Sequence, residues 1–136
     1  MKTILVPLAL DSTTLPLLRY SEPIARDMGA SLVLLHVVPK QAYDNGTFSP
    51  EAKVHESVVA QTRQVLERLS HRVMQSGIRN RVMILDGDPA DTIVRTARDT
   101  RADIIVLSRA CGEAHCTSAR VLAEAPCPVL SLIPVP

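Results

Sequence analysis

The sequence has 136 residues, of which 46% are hydrophobic and 21% charged, with a formal net charge of +1. That size and balance fit one folded domain over residues 1–136 and exclude a disordered or collagen-like chain. A nearly neutral chain with only 2% aromatic residues offers neither a basic nucleic-acid footprint nor a stacking platform for bases.

Tyr20, Tyr43 and Phe48 are the aromatic residues and Trp is absent, so the core must be aliphatic, as suits a parallel sheet covered by helices. No stretch reaches the roughly 18 apolar residues of a membrane span, and Pro7 and Asp11 interrupt the N-terminal run before a signal sequence matures. The expected location is cytoplasmic, with no membrane insertion. Cys111, Cys116 and Cys127 are an odd, clustered set and make a poor disulfide framework.

In chain order, Lys2 to Leu8 is a short β-branched run that reads as the first strand. Asp11, Ser12 and Thr13 can each cap the helix that follows, Pro16 suits its first turn and Gly29 supplies a left-handed stop. Pro23 has no amide hydrogen and predicts a kink or a later helix start. Ser31 to Val38 is a second strand, apolar on both faces.

Pro39 to Ser49 loses periodicity and contains the turn pair Asn45-Gly46, the mark of an exposed loop. A long helix then opens with Ser49 as cap, Pro50 as first residue and Glu51 as dipole-matching acid. Its stripe of Val54, Val58, Leu66, Leu69 and Val73 runs toward Gly77. Arg79 to Leu85 is the third strand. Asp88-Pro89-Ala90-Asp91 repeats the helix-start grammar and opens a third helix reaching Thr100. Asp103 to Leu107 and Val129 to Ile133 are strands four and five, separated by a short helix around Thr117 to Glu124. Five strands alternating with four helices require parallel pairing through right-handed crossovers.

Several blocks, in this order and spacing, resemble the universal stress protein family over nearly the whole chain. They are Ile4-Leu5-Val6-Pro7, Leu18-Arg19-Tyr20, Leu34-Leu35-His36-Val37-Val38, Gly87-Asp88-Pro89-Ala90, Ala102-Asp103-Ile104-Ile105-Val106 and Ala125-Pro126-Cys127-Pro128-Val129-Leu130. The resemblance implies a Rossmann-like α/β fold, an open five-stranded parallel sheet of order 3-2-1-4-5 with helices on both faces. It places ligands at the switch point beside strands one and four. It also implies a homodimer through antiparallel pairing of the fifth strands, Val129, Leu130, Ser131, Leu132 and Ile133.

Family members commonly bind ATP or AMP, and others bind no nucleotide. Alignment places Ala9 where nucleotide-binding members carry an Asp, and Asp11 two residues on reads as a helix cap. The family's phosphate loop uses spaced glycines so that backbone amides close around phosphate at a helix start. Here the stretch from Ser108 to Ser118 offers only Gly112 and is shorter by about half a dozen residues, and Glu113 adds negative charge.

No cofactor is therefore expected, and the resemblance implies a non-enzymatic, homodimeric stress-response module acting on an unidentified protein partner or small ligand. Two alternatives stay open. One is an AMP or ATP switch with a modified pocket formed by Pro7, Leu8, Ala9, Val38, Arg109, Gly112, Thr117 and Ser118. The other is a redox or metal sensor centred on Cys111, His115 and Cys116, although their spacing matches no usual zinc site, and no metal site is expected. Cys127 reads as a small core residue, His36 as structural, and His55 and His71 as solvated. No nucleophile-and-base order stands out, so no catalytic residue is assigned.

Overall fold

The structure, a computed structural model, describes residues 2–38, 50–109 and 117–133. Nine elements follow in order: β1 (Lys2–Pro7), α1 (Thr14–Met28), β2 (Ala30–Val38), α2 (Pro50–Gln75), β3 (Asn80–Asp86), α3 (Pro89–Asp99), β4 (Ile104–Ser108), α4 (Thr117–Glu124) and β5 (Val129–Leu132). All strand pairs are parallel, in the order β3-β2-β1-β4-β5. β1 is central, with Ile4 registered against Leu32 on one side and Ile104 on the other.

The strands are apolar on both faces because each face meets helices. On one face Ile4, Val6, Leu32, Leu34 and Val106 pack with Leu17, Leu18 and Ala25 of α1 and Leu66 and Val73 of α2. On the other, Leu5, Val33, Leu35, Ile105 and Leu107 pack with Ala90, Ile93, Val94 and Ala97 of α3 and Val121 of α4. Alternate residues of one strand thus feed two cores, which is the period of a pleated strand.

The helix punctuation falls close to where the residues suggest. Gly29 closes α1 at φ 63° with its N–H bonded to the carbonyls of Ala25 and Arg26. Asp88 caps α3 and Pro89 is its first residue. α1, however, begins at Thr14 and continues through Pro23, so the later start expected from that proline does not occur. Pro23 and Arg19 are both exposed, so the Arg19 carbonyl that loses its helical partner can be solvated. The Ser49 cap, the Asn45-Gly46 turn and the side chains of Glu51, Val54 and His55 lie outside the described residues. Of the remaining stripe, Leu66 and Val73 are fully buried and Leu69 packs beside them.

Candidate functional site

The sheet leaves a crevice at the carboxyl ends of its strands where successive crossovers depart to opposite faces. β1 feeds α1 on one face and β4 leads toward α4 on the other, so the crevice lies between them. A cavity of about 480 Å³ occupies it. Its floor is Pro7, Leu8 and Ala9 leaving β1, Leu35, His36 and Val37 ending β2, and Leu107 and Ser108 ending β4. Its walls are Pro89 and Ile93 of α3 and Thr117 and Ser118 of α4.

The turn after β1 is tied down from both sides. The Leu8 N–H donates to the Leu35 carbonyl at 2.7 Å. The Leu8 carbonyl in turn lies 2.7 Å from His36 Nδ1. A carbonyl can only accept, so Nδ1 carries the proton and His36 clamps β2 to the turn. Leu10 then adopts a left-handed conformation at φ 60°. Asp11 uses one carboxylate oxygen to accept from both the N–H and the hydroxyl of Thr13, at 2.8 and 2.5 Å. The Thr13 hydroxyl, first, and its N–H hold the Asp11 carboxyl below the ordinary carboxylate range. Thr13 itself is the N-cap of α1 and makes no side-chain cap bond.

The α3 wall is held by a dense set of contacts. Asp88 Oδ2 accepts from the Asp91 N–H at 3.0 Å. Arg120 of α4 reaches across to Asp88 at 2.9 Å and Asp91 at 2.6 Å, with Glu124 at 3.9 Å. The Asp91 N–H, ahead of Arg120, lowers the Asp88 pKa, and these carboxylates favour the charged Arg120. Gly87 precedes this cap at φ 145°, and a Cβ there would lie 2.7 Å from Thr92 Oγ1. Glycine is the residue that fits both the backbone angle and the close approach. Thr92 is fully buried, and among the described residues its Oγ1 has no hydrogen-bond partner.

On the α4 side, the Ser118 hydroxyl donates to the Ser108 carbonyl at 3.1 Å, joining the first turn of α4 to the end of β4. The Ser108 hydroxyl donates to Thr13 Oγ1 at 3.5 Å, which links β4 to the cap of α1.

Of the residues singled out from sequence, Pro7, Leu8, Ala9, Thr117 and Ser118 come together around the cavity. Val38 is buried and does not line it; Val37 does. Arg109 is exposed, and its N–H extends the ladder to the Leu132 carbonyl beyond Ser108. Gly112, Cys111, Glu113, His115 and Cys116 lie outside the described residues. Cys127 is half-buried, and burial, with the Asp103 charge, pushes its thiol pKa up, the direction of an unreactive thiol. Leu35, His36, Val37, Leu107 and Ser108 were not placed in the pocket from sequence, His36 being read as structural, although the rule that ligands sit beyond the strand ends points to them. Arg120 had only its spacing to Glu124 as a signal, because its partners on α3 are tertiary.

The fold and the crevice together define a doubly wound α/β protein with a ligand-sized cavity at its topological switch point. The sequence matches the universal stress protein family over residues 1–132, and the chain belongs to that family. It is similar to the universal stress protein UspA from Lactobacillus plantarum, with 24% identity, a TM-score of 0.84, and 96% of this chain and 97% of that one covered. A universal stress protein family member from Burkholderia pseudomallei is 28% identical with a TM-score of 0.79, covering 98% and 96% of the two chains. The universal stress protein from Archaeoglobus fulgidus, solved in complex with dAMP, is 19% identical with a TM-score of 0.73, over 96% and 97%. No curated protein matches the chain at a significant level. No helix among the described residues is long and apolar enough to cross a membrane.

Proposed function

We propose that this universal stress protein acts in the cytoplasm as a homodimeric, non-enzymatic regulatory module, a single domain whose cleft has given up the triphosphate grip. The observation that carries this reading is the composition of the cleft. Among the described residues its lining holds no charged side chain and no glycine, and its wall at α3 is capped by a carboxylate. Polyphosphate recognition needs cationic side chains or a nest of free backbone amides.

The dimer reading is supported by the sheet edge. β5 ends the sheet, and Val129, Leu130, Ser131 and Leu132 are only half-buried in the isolated chain. Ile133, just beyond, is 67% exposed. Pairing with a second copy would cover a strand that otherwise offers unpaired backbone groups to any chain it meets.

A second reading, an adenine-nucleotide switch, is favoured by the position of the cavity and by the dAMP complex of the Archaeoglobus relative. Calorimetric titration with AMP and with ATP, with and without magnesium, separates the two. Silence is expected from both nucleotides, with no rise in melting temperature. Ligand at 100 times its dissociation constant would add about 2.7 kcal/mol of stability, so saturable heat with such a rise would transfer the conclusion to the switch. Light scattering tests the dimer, which Leu130→Glu is expected to convert to monomer; a wild-type monomer would refute the interface.

A further inference from the structure

The hydrogen-bond accounting of the cleft says what kind of molecule it can hold. Its volume of about 480 Å³ lies within the range of small-molecule sites, roughly 300 to 1,000 Å³. Pro7, Leu8, Leu35, Val37, Ile93 and Leu107 give it a hydrocarbon lining. Three of the polar lining side chains, Ser108, Ser118 and His36, have already committed a proton. A serine hydroxyl has one hydrogen to donate. Ser118 gives its hydrogen to the Ser108 carbonyl, and Ser108 gives its own to Thr13. Both serines therefore face a ligand as acceptors. His36 spends its Nδ1 proton on Leu8.

Phosphate oxygens are acceptors too and need donors. At the α3 wall, Pro89 has no N–H and the Asp91 N–H is taken by Asp88. The charges at the starts of α3 and α1 point the same way, with Arg109 exposed beyond Ser108 on the other side. Asp88 and Asp91 stand at the α3 start against the single Arg120, and Asp11 is joined to Ser108 through the Thr13 hydroxyl. Negative charge at the rim disfavours anions.

We propose that this cleft binds an uncharged, predominantly apolar small molecule carrying one N–H or O–H donor, and discriminates against phosphorylated ligands. The proposal rests on the reading that the triphosphate grip has been given up, and it adds the class of ligand that replaces it.

N-phenyl-1-naphthylamine, a neutral dye with an apolar body and one N–H, is the probe. Titrated into the full chain, it should show saturable fluorescence enhancement with one site per chain, unmoved by millimolar magnesium ATP. The anionic analogue 8-anilinonaphthalene-1-sulfonate should bind at least about tenfold more weakly. Ala9 is exposed at the mouth, so Ala9→Trp should leave the melting temperature unchanged and weaken the neutral dye at least about tenfold.

Leu122→Glu and Ile133→Glu, at the exposed apolar residues of α4 and the β5 end, should leave dye binding unchanged. Dye binding lost in those variants and kept in Ala9→Trp would place the dye on the sheet edge and overturn the proposal. Equal affinity for the anionic analogue would also overturn it. No dye signal together with no response to ATP would overturn the ligand class and leave the non-nucleotide reading standing, whereas displacement of the dye by ATP would overturn both.

Discussion

α3 and α4 both begin at the cleft, yet their starts are built in different ways. α3 opens with Asp88, Pro89 and Asp91, so the Asp91 amide is capped, Pro89 has none to offer, and Arg120 is bound to its carboxylates. α4 has no acidic residue in its first turn, and Ser118 ties it to the strand it follows. A helix start that caps itself is a structural joint, whereas the first turn of α4 is held through the Ser118 hydroxyl on the Ser108 carbonyl. The difference teaches that a phosphate-friendly location in a fold does not make a phosphate site; the local donors decide.

The comparison is broken most sharply at Ile93, which is 5% exposed and serves both the core and the cleft wall. Ile93→Ala should cost about 2–5 kcal/mol in denaturant unfolding, as a buried aliphatic truncation does. A loss below 1 kcal/mol would mean that the α3 wall is loosely packed.

Gly87→Ala comes next. The methyl group would meet Thr92 Oγ1 at 2.7 Å on a backbone at φ 145°. Strain of about 1–3 kcal/mol is expected, read as a lower melting temperature. Thr92→Ala combined with it should recover part of the loss, because the clashing oxygen goes.

Most of the fold was legible because its signals are local. The Asp88-Pro89-Ala90-Asp91 start, the Gly29 stop and the two apolar strands Ile4–Val6 and Leu32–Leu35 each announce themselves within a few residues. The cleft was less legible. A strand buried on both faces shows no polar alternation, so sequence offered no means to tell whether Val37 or Val38 faces the cavity. The passage of α1 through Pro23 was hidden for a different reason: solvent at an exposed helix face supplies what the missing N–H does not. Arg120 joins residues 29 and 32 positions away, and no local pattern encodes that contact.

Asp88→Ala should remove the α3 cap at a cost of about 1 kcal/mol, and Asp88→Asn much less, since Asn caps nearly as well. Because the folded pKa of Asp88 lies below its ordinary value of 3.8, its contribution is complete above that value. It is lost as pH falls through the folded value. Unfolding measured from pH 5 downward should therefore show a flatter acid limb in Asp88→Ala than in the wild type. The smallest effect belongs to Arg120→Ala. Its side chain is 42% exposed, and solvent screening should keep the fall in melting temperature the smallest of the series, fading further at high salt. A larger, salt-insensitive fall would mean that the link between the two helix starts is a structural joint of its own.

The central claim is that the cleft of this universal stress protein no longer grips polyphosphate. Amide chemical-shift mapping of the labelled protein during titration with magnesium ATP to millimolar concentration tests it at the residues concerned. The account predicts no saturable shift at the amides of Ala9, Val37, Ser108 and Ser118. Saturable shifts at those four amides would contradict it.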